Sequence, residues 1–184
     1  MSDIWFTADT HFRHRNIMKY CKRPFSTVEE MEEVFVSNWN SRIQVGDTVY
    51  HLGDFAFCKT SDEVDAIRIK LNGQIFLIWG NHDKDYVKKA RGFIWQGPYK
   101  EIKIGDQNII LMHYAMRVWN KSHFGSWNLY GHSHNTLPDD PNALSLDVGV
   151  DANEYQPINY YEVAQRMSLK KFVPIDHHVG NYEE

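Results

Sequence analysis

Two aspartates, one asparagine and four histidines fall in five short phrases whose residue types are those of a divalent-metal site. In chain order the phrases are Asp9-Thr10-His11, Gly53-Asp54, Gly80-Asn81-His82-Asp83, Met112-His113 and Gly131-His132-Ser133-His134. Carboxylate and imidazole donors suit ions such as manganese, iron, nickel and zinc. A carboxylate has two oxygens, so one aspartate can serve two cations. Two divalent ions would keep a net positive charge after two aspartates had offset part of it. That charge attracts a phosphate oxyanion and acidifies a bound water. Taken singly, each phrase reads as ordinary structure. Asp9 could cap a turn, His11 could sit on the surface, and the glycine-led phrases could be turns. The ordered set of five is what points to metal.

These side chains must be positioned by something rigid, and the hydrophobic pattern supplies it. Ile4–Thr7 reads as a strand ending just before Asp9. Ser26-Thr27-Val28-Glu29 has the form of a capping box and opens a helical pattern that ends near Ile43. Thr48–Leu52 is strand-like and delivers Gly53-Asp54. A second box, Thr60-Ser61-Asp62-Glu63, leads a helix to about Leu71, with Gly73 as its stop. The apolar run Gln74–Trp79 is followed at once by Gly80-Asn81-His82-Asp83, and a short helix covers Asp85–Ala90. Tyr99–Ile104 and Asn108–Met112 flank Gly105-Asp106-Gln107 as a hairpin ending at His113. Leu129-Tyr130 is a short strand before Gly131, Leu144–Val150 is another, and Asn159–Met167 is a capped helix. Residues Ala115–Asn128 form the longest irregular stretch. Each candidate ligand thus follows a strand, and strand ends can gather remote residues along one sheet edge.

With these motifs in order, the sequence resembles the calcineurin-like metallophosphoesterases, specifically their small members without a cap domain from bacteria and phages. All five family blocks are present in family order between Asp9 and His134. Asp9-Thr10-His11-Phe12, Arg23-Pro24-Phe25 and Val49-Tyr50-His51-Leu52-Gly53-Asp54 support that placement. The resemblance implies an α/β fold in which two mixed β-sheets pack as a sandwich flanked by helices, spanning residues 1–184 as one domain with a polar tail after about 170. It implies two divalent ions, manganese first, with iron, nickel or zinc as alternatives. One ion would be held by Asp9, His11, Asp54 and His134, the other by Asp54, Asn81, His113 and His132. A hydroxide shared between the ions would attack phosphorus, and His82 would stand near the leaving oxygen. Asp83 would orient His82 or raise its basicity. The family often has Gly before the fourth-block histidine, where this chain has Met112.

The implied activity is hydrolysis of phosphoesters. A chain too short for a cap domain should have an open site, which favours phosphodiesters, including small or nucleotide-like ones, over phosphomonoesters. A metal-binding scaffold without turnover is the alternative from another class, and the complete ligand set argues against it. Arg13, His14 and His123, with Asn81, are candidate substrate contacts; an ordinary polar loop accounts for His14 as readily, and a solvated loop position is the safer reading of His123. Arg13, Arg15, Lys19, Lys22 and Arg23 form a modest basic cluster, read first as a solvated face and second as a place for a small anion. His51, on a strand, reads as a buried neighbour. Asp147 and Asp151 read as strand-end and turn residues, and His177 and His178 as tail. Trp119, Phe124, Trp127 and Tyr130 are candidates for stacking on a base, with core packing the commoner fate.

Bulk properties set the outer bounds. The 184 residues are 42% hydrophobic and 24% charged, the balance of a globular protein. A formal net charge of −4 without a basic stripe argues against long nucleic acid as a partner. Two distant cysteines, Cys21 and Cys58, suggest neither a disulfide framework nor a structural zinc site. No signal peptide or apolar span is apparent, so a cytoplasmic protein with no membrane association is the expectation.

Overall fold

A computed structural model describes residues 2–176. Among these residues nine strands form two sheets. The first holds β1 (Ile4–Thr7), β2 (Thr48–His51), β3 (Gln74–Ile78), β4 (Trp95–Gly97) and β9 (Ile158–Asn159), in the order β4-β3-β2-β1-β9. Its first four strands are parallel, and β9 runs antiparallel to β1. The second sheet holds β5 (Tyr99–Ile104), β6 (Gln107–Met112), β7 (Trp127–Tyr130) and β8 (Ser145–Asp147) in sequential order. There β5 and β6 form the expected antiparallel hairpin, while β6, β7 and β8 are parallel. Both sheets are therefore mixed, and the α/β sandwich is as expected.

Parallel neighbours need crossovers, and helices supply them. The β1–β2 connection carries α1 (Ile17–Tyr20) and α2 (Val28–Arg42), and α3 (Ser61–Arg68) joins β2 to β3. A shorter helix, α4 (Asp85–Lys88), joins β3 to β4. The period-2 pattern of β1 splits its side chains between two cores. Trp5 joins Met31, Phe35, Trp39, Val64 and Ile67 beneath α2 and α3. Phe6 joins Leu52, Ile78, Ile109, Leu111 and Leu129 between the sheets. The last helix, α5 (Tyr160–Ser168), adds Val163 and Met167 to this second core.

Capping follows the sequence closely, with one shift. The first helix cap is Thr27, not Ser26. Its hydroxyl accepts from the Glu30 N–H at 3.1 Å, and Glu30 reaches back to the Ser26 N–H at 2.7 Å. Adjacent glutamates at 29 and 30 make both registers legible in the sequence. Thr60 caps α3, and Asn159 with Glu162 forms a complete capping box on α5. Helix α3 ends at Arg68 rather than Leu71, because the Arg68 guanidinium donates to the carbonyls of Leu71 and Gly73 and holds that stretch as a turn. Strand β8 stops at Asp147, whose Oδ1 accepts from the Gly149 N–H and turns the chain into a 3-10 turn over Val150–Ala152. The irregular stretch after Ala115 is shorter than expected. Strand β7 already begins at Trp127, and Trp119, Ser122 and Ser126 are buried. No helix among the described residues is long and apolar enough to cross a membrane. His177 and His178 lie outside the described residues.

Candidate metal centre

The five phrases meet along one edge. Strands β1, β2 and β3 are parallel neighbours, so the segments after their C-terminal ends lie side by side; β6 and β7 do the same in the second sheet. The connecting loops are tied to each other by backbone bonds. Asp9 N donates to Gly53 O and His11 N to Asp54 O, each at 2.9 Å, and Gly131 N donates to His113 O at 3.0 Å.

Two donor clusters result. Asp9, His11 and His134 form one, and Asp54, His113 and His132 form the other; within each cluster the donor atoms lie within 4.8 Å of one another. Asn81 Oδ1 joins the second cluster, 3.1 Å from both His113 Nε2 and His132 Nδ1. Asp54 Oδ2 stands between the clusters, 3.4 Å from His11 Nε2 and 3.5 Å from His113 Nε2. All seven candidate ligands are thus brought together.

Getting them there imposes unusual backbone. Asp9, His11, Asp54, His132 and His134 all have positive φ, between 46° and 68°. That region is disfavoured for residues with a Cβ, and such conformations concentrate at functional sites. Close approach also explains two glycines. A Cβ on Gly131 would lie 2.5 Å from Ala8 Cβ and 2.6 Å from Asp9 Oδ2, and one on Gly80 would collide with the Asp54 carboxylate. Met112, by contrast, still lies in β6 opposite Tyr99, where a side chain is accommodated.

The donor chemistry fits a cation. Asp9 Oδ1 and His11 Nε2 are buried without a hydrogen-bond partner among the described residues. Such orphaned groups are costly unless a positive ion satisfies both. Burial pushes the His11 imidazole down to about 2, against the pull of Asp54, so its ring is neutral and free to donate a lone pair. Burial pushes Asp9 up to about 7, against the pull of His113 and His134. For Asp54 burial also pushes upward, but the hydrogen bond and charge of His113, together with His11, hold it well below the usual carboxylate range.

A supporting layer holds the donors. Arg23 is buried and grips Asp151 through Nε and Nη2, both at 2.8 Å. Its guanidinium also donates to the carbonyls of Asp9 (2.7 Å) and Thr10 (3.2 Å). Asp151 in turn lies 2.7 Å from His134 Nδ1, which leaves Nε2 for the cluster. Burial pushes His134 down, but bonds to Asp151 and Cys21 outweigh that and raise it to about 10. Arg23 is therefore not part of a solvated basic face, and Asp151 is more than a turn residue. His51 is the buried neighbour expected, with Nε2 2.9 Å from Thr10 Oγ1.

Asp83 is placed differently from the expectation. Its two oxygens accept from the backbone N–H groups of Asp54 (2.8 Å), Phe55 (2.9 Å) and Gly80 (2.8 Å). Its hydrogen bonds among the described residues hold the Asp54 loop rather than the His82 ring. His82 instead donates its backbone N–H to Asp54 Oδ1 at 2.8 Å, and its ring centroid lies 5.4 Å from that of His11.

The candidate substrate contacts diverge. His14 Nδ1 is 3.2 Å from His11 Nδ1, so it braces a ligand. The exposed Arg13 side chain pairs with Glu63 at 3.3 Å. His123 lies on the 3-10 turn Ser122–Phe124 against Phe124 and is not among the convergent donors. Trp119, Trp127 and Tyr130 are buried and Phe124 is exposed on that same turn, and among the described residues no ring contact joins any of these four to a ligand histidine. The aromatic residues beside the site were missed: Tyr114 packs on the ligand histidines His113 and His132, Phe57 on His14 and His82, and Tyr20 on His14.

Residues 3–146 match the family model described as the calcineurin-like phosphoesterase superfamily domain. The chain belongs to that superfamily. It is 34% identical over 179 residues to an uncharacterized protein of Methanocaldococcus jannaschii, an alignment covering 94% of this chain and 96% of the relative. It is 25% identical to the gene 66 protein of Mycobacterium phage L5, covering 83% and 88%. Among solved structures it resembles a protein of unknown function from Aquifex aeolicus, with a TM-score of 0.71 and 25% identity over 90% of this chain and all of that one. Superfamily membership makes this chain a hydrolase of the phosphoesterase type, and the two clusters are its candidate metal ligands.

Proposed function

We propose that this protein hydrolyses small phosphodiesters using two divalent ions, manganese first among the candidates. Asp9, His11, Asp54 and His134 would hold one ion, and Asp54, Asn81, His113 and His132 the other. The observation that carries this reading is the position of Asp54 Oδ2, 3.4 Å from a donor of one cluster and 3.5 Å from a donor of the other. A carboxylate so placed, held below the usual carboxylate range, is suited to bridging. Bound ions would offset phosphate charge and acidify water. The protein's own contribution is to hold the donors in place, expose them on one side and supply a proton. Asn81 and His132 are exposed, so an ester could reach the centre without a lid having to move. His82, anchored through its backbone to Asp54 Oδ1, is the group proposed to protonate the leaving oxygen.

The experiment is release of nitrophenol from bis(4-nitrophenyl) phosphate and from 4-nitrophenyl phosphate. Turnover of the diester should require added manganese, vanish with a strong chelator and return with the metal. Faster turnover of the monoester would favour the phosphomonoesterase reading. Undiminished turnover by the metal-stripped protein would remove the metal from the mechanism.

A further inference from the structure

Exposed aromatic rings stand beside the histidines in and around both donor clusters. On the side of the first, Phe57 stacks on His14, with centroids 4.2 Å apart and planes 12° from parallel, and lies 5.9 Å from His82. On the side of the second, Tyr114 packs edge-on against His132 at 4.6 Å and His113 at 5.1 Å. Phe57 is 42% exposed and Tyr114 41%. A single exposed apolar residue needs no explanation. Here, however, Phe57 packs on His14, which contacts His11 of the first cluster, Tyr114 packs on two donors of the second, and neither ring is loosely held. Phe57 lies between buried Ala56 and Cys58, and its N–H donates to Phe12 O at 2.7 Å, beside the bridge pairing Phe12 with Ala56. Tyr114 directly follows the candidate ligand His113 at the end of β6. Tyr20, 68% exposed, extends the first side, 6.3 Å from His14.

We infer that Phe57 and Tyr114 are stacking platforms on either side of the centre. The preferred ligand is then a phosphodiester monoanion carrying a flat aromatic arm, an aryl group or a nucleobase, on each ester oxygen. This rests on the proposed function only in seating the phosphate between the clusters. Rings on both sides suit a diester, because a monoester has one arm. Stacking tolerates many flat groups, since it reads a π-face rather than a hydrogen-bond pattern. The rival physical role is an apolar fence that merely keeps water from the ligand imidazoles. A fence would affect every diester equally, whereas a platform distinguishes arms.

Binding can be read without turnover, by titration calorimetry of the manganese-loaded full chain with diphenyl, methyl phenyl and dimethyl phosphate. Each phenyl group should tighten Kd by about ten-fold. Phe57→Ala and Tyr114→Ala should each erase one increment, and the double variant should bind all three diesters alike. Phe57→Leu and Tyr114→Leu, which keep apolar cover without a ring, should lose the increments as well. Metal analysis of each variant checks that both clusters still load. Equal affinity of the native protein for the three diesters overturns the inference. So does binding of none of them, or a uniform loss across all three in the variants. Metal-dependent nitrophenol release with no phenyl increment would spare the proposed function and sink the platforms. Increments without any turnover would do the reverse.

Discussion

Arg23 and Asp151, 128 positions apart in sequence, form a buried two-bond fork with both distances at 2.8 Å. The fork fixes the far ends of the first donor cluster at once. Arg23 holds the Asp9 and Thr10 carbonyls, and Asp151 holds His134 Nδ1. Removing one partner of a buried pair strands the other charge, at a cost of about 3–5 kcal/mol. Arg23→Ala should lower stability by that order in urea unfolding of the metal-stripped protein. Arg23→Lys should recover only part of the loss, because an ammonium cannot make the fork. Asp151→Asn should weaken manganese affinity by roughly 10–100-fold, the usual consequence of losing a carboxylate behind a ligand imidazole. Unchanged metal affinity in that variant would show that His134 needs no such brace.

Asp83 staples two ligand loops through three backbone N–H groups. Truncation to Ala leaves those donors without their acceptor, at a cost of about 3 kcal/mol. Asp83→Ala should therefore lower the unfolding free energy and weaken metal binding together, because the loop it holds carries Asp54. Asp83→Asn keeps an oxygen acceptor and should fall between native and Ala. Native stability and metal content in Asp83→Ala, with only hydrolysis reduced, would restore the idea that Asp83 acts through His82.

The strand-then-ligand rhythm made the sheet edge legible, since Ile4–Thr7, Thr48–His51 and Gln74–Ile78 carry strong apolar runs directly before their phrases. The seven candidate donors were legible as ordered phrases whose family resemblance implied the ligand sets, and the structure brings them together. The short elements were not: β4, β9 and α1 span 3, 2 and 4 residues, too few to display a period. Arg23 looked like one more surface cation, because burial of a charge depends on a partner 128 residues away. Phe57 and Tyr114 were hidden for a related reason. Composition favours Trp119 and Trp127 as aromatic contacts, but only the fold decides which rings go to the core and which stay beside the histidines.

Asp47 gives a pH-dependent test of the scaffold away from the metal centre. Its carboxylate accepts from the Asp3 N–H at 2.9 Å, the Gln44 N–H at 2.9 Å and the Trp5 indole at 3.1 Å, tying the starts of β1 and β2 together. Burial pushes this carboxyl up, but the bonds from Gln44, Asp3 and Trp5 outweigh it and hold it below its ordinary value of 3.8. A group depressed on folding adds stability that is present above its unfolded pKa and lost as pH falls through the folded one. The stability gap between native protein and Asp47→Asn should be constant from neutral pH to about pH 5 and close in strong acid. Asp47→Ala should cost about 2 kcal/mol at neutral pH through the lost bonds. Urea unfolding of metal-stripped protein across that range measures both, and a gap that widened in acid would reverse the sign assigned to Asp47.

His82 separates proton donation from charge stabilisation. Its backbone N–H is committed to Asp54 Oδ1, while its half-buried ring lies beside His11, His14 and Phe57. The side chain can therefore be removed without deleting a donor from either cluster, and His82→Ala should keep its metal content. A general acid contributes on the order of 10²-fold or more when the leaving oxygen is poor, and little when the leaving group departs unaided as a stable anion. Loss of activity in His82→Ala should accordingly be small for a nitrophenyl ester and grow as the leaving-group pKa rises through phenyl to alkyl esters. If the ring instead acts through charge on the phosphoryl oxygens, the loss would be the same along the series. A flat dependence would thus assign His82 to the oxyanion and leave the departing proton to another source.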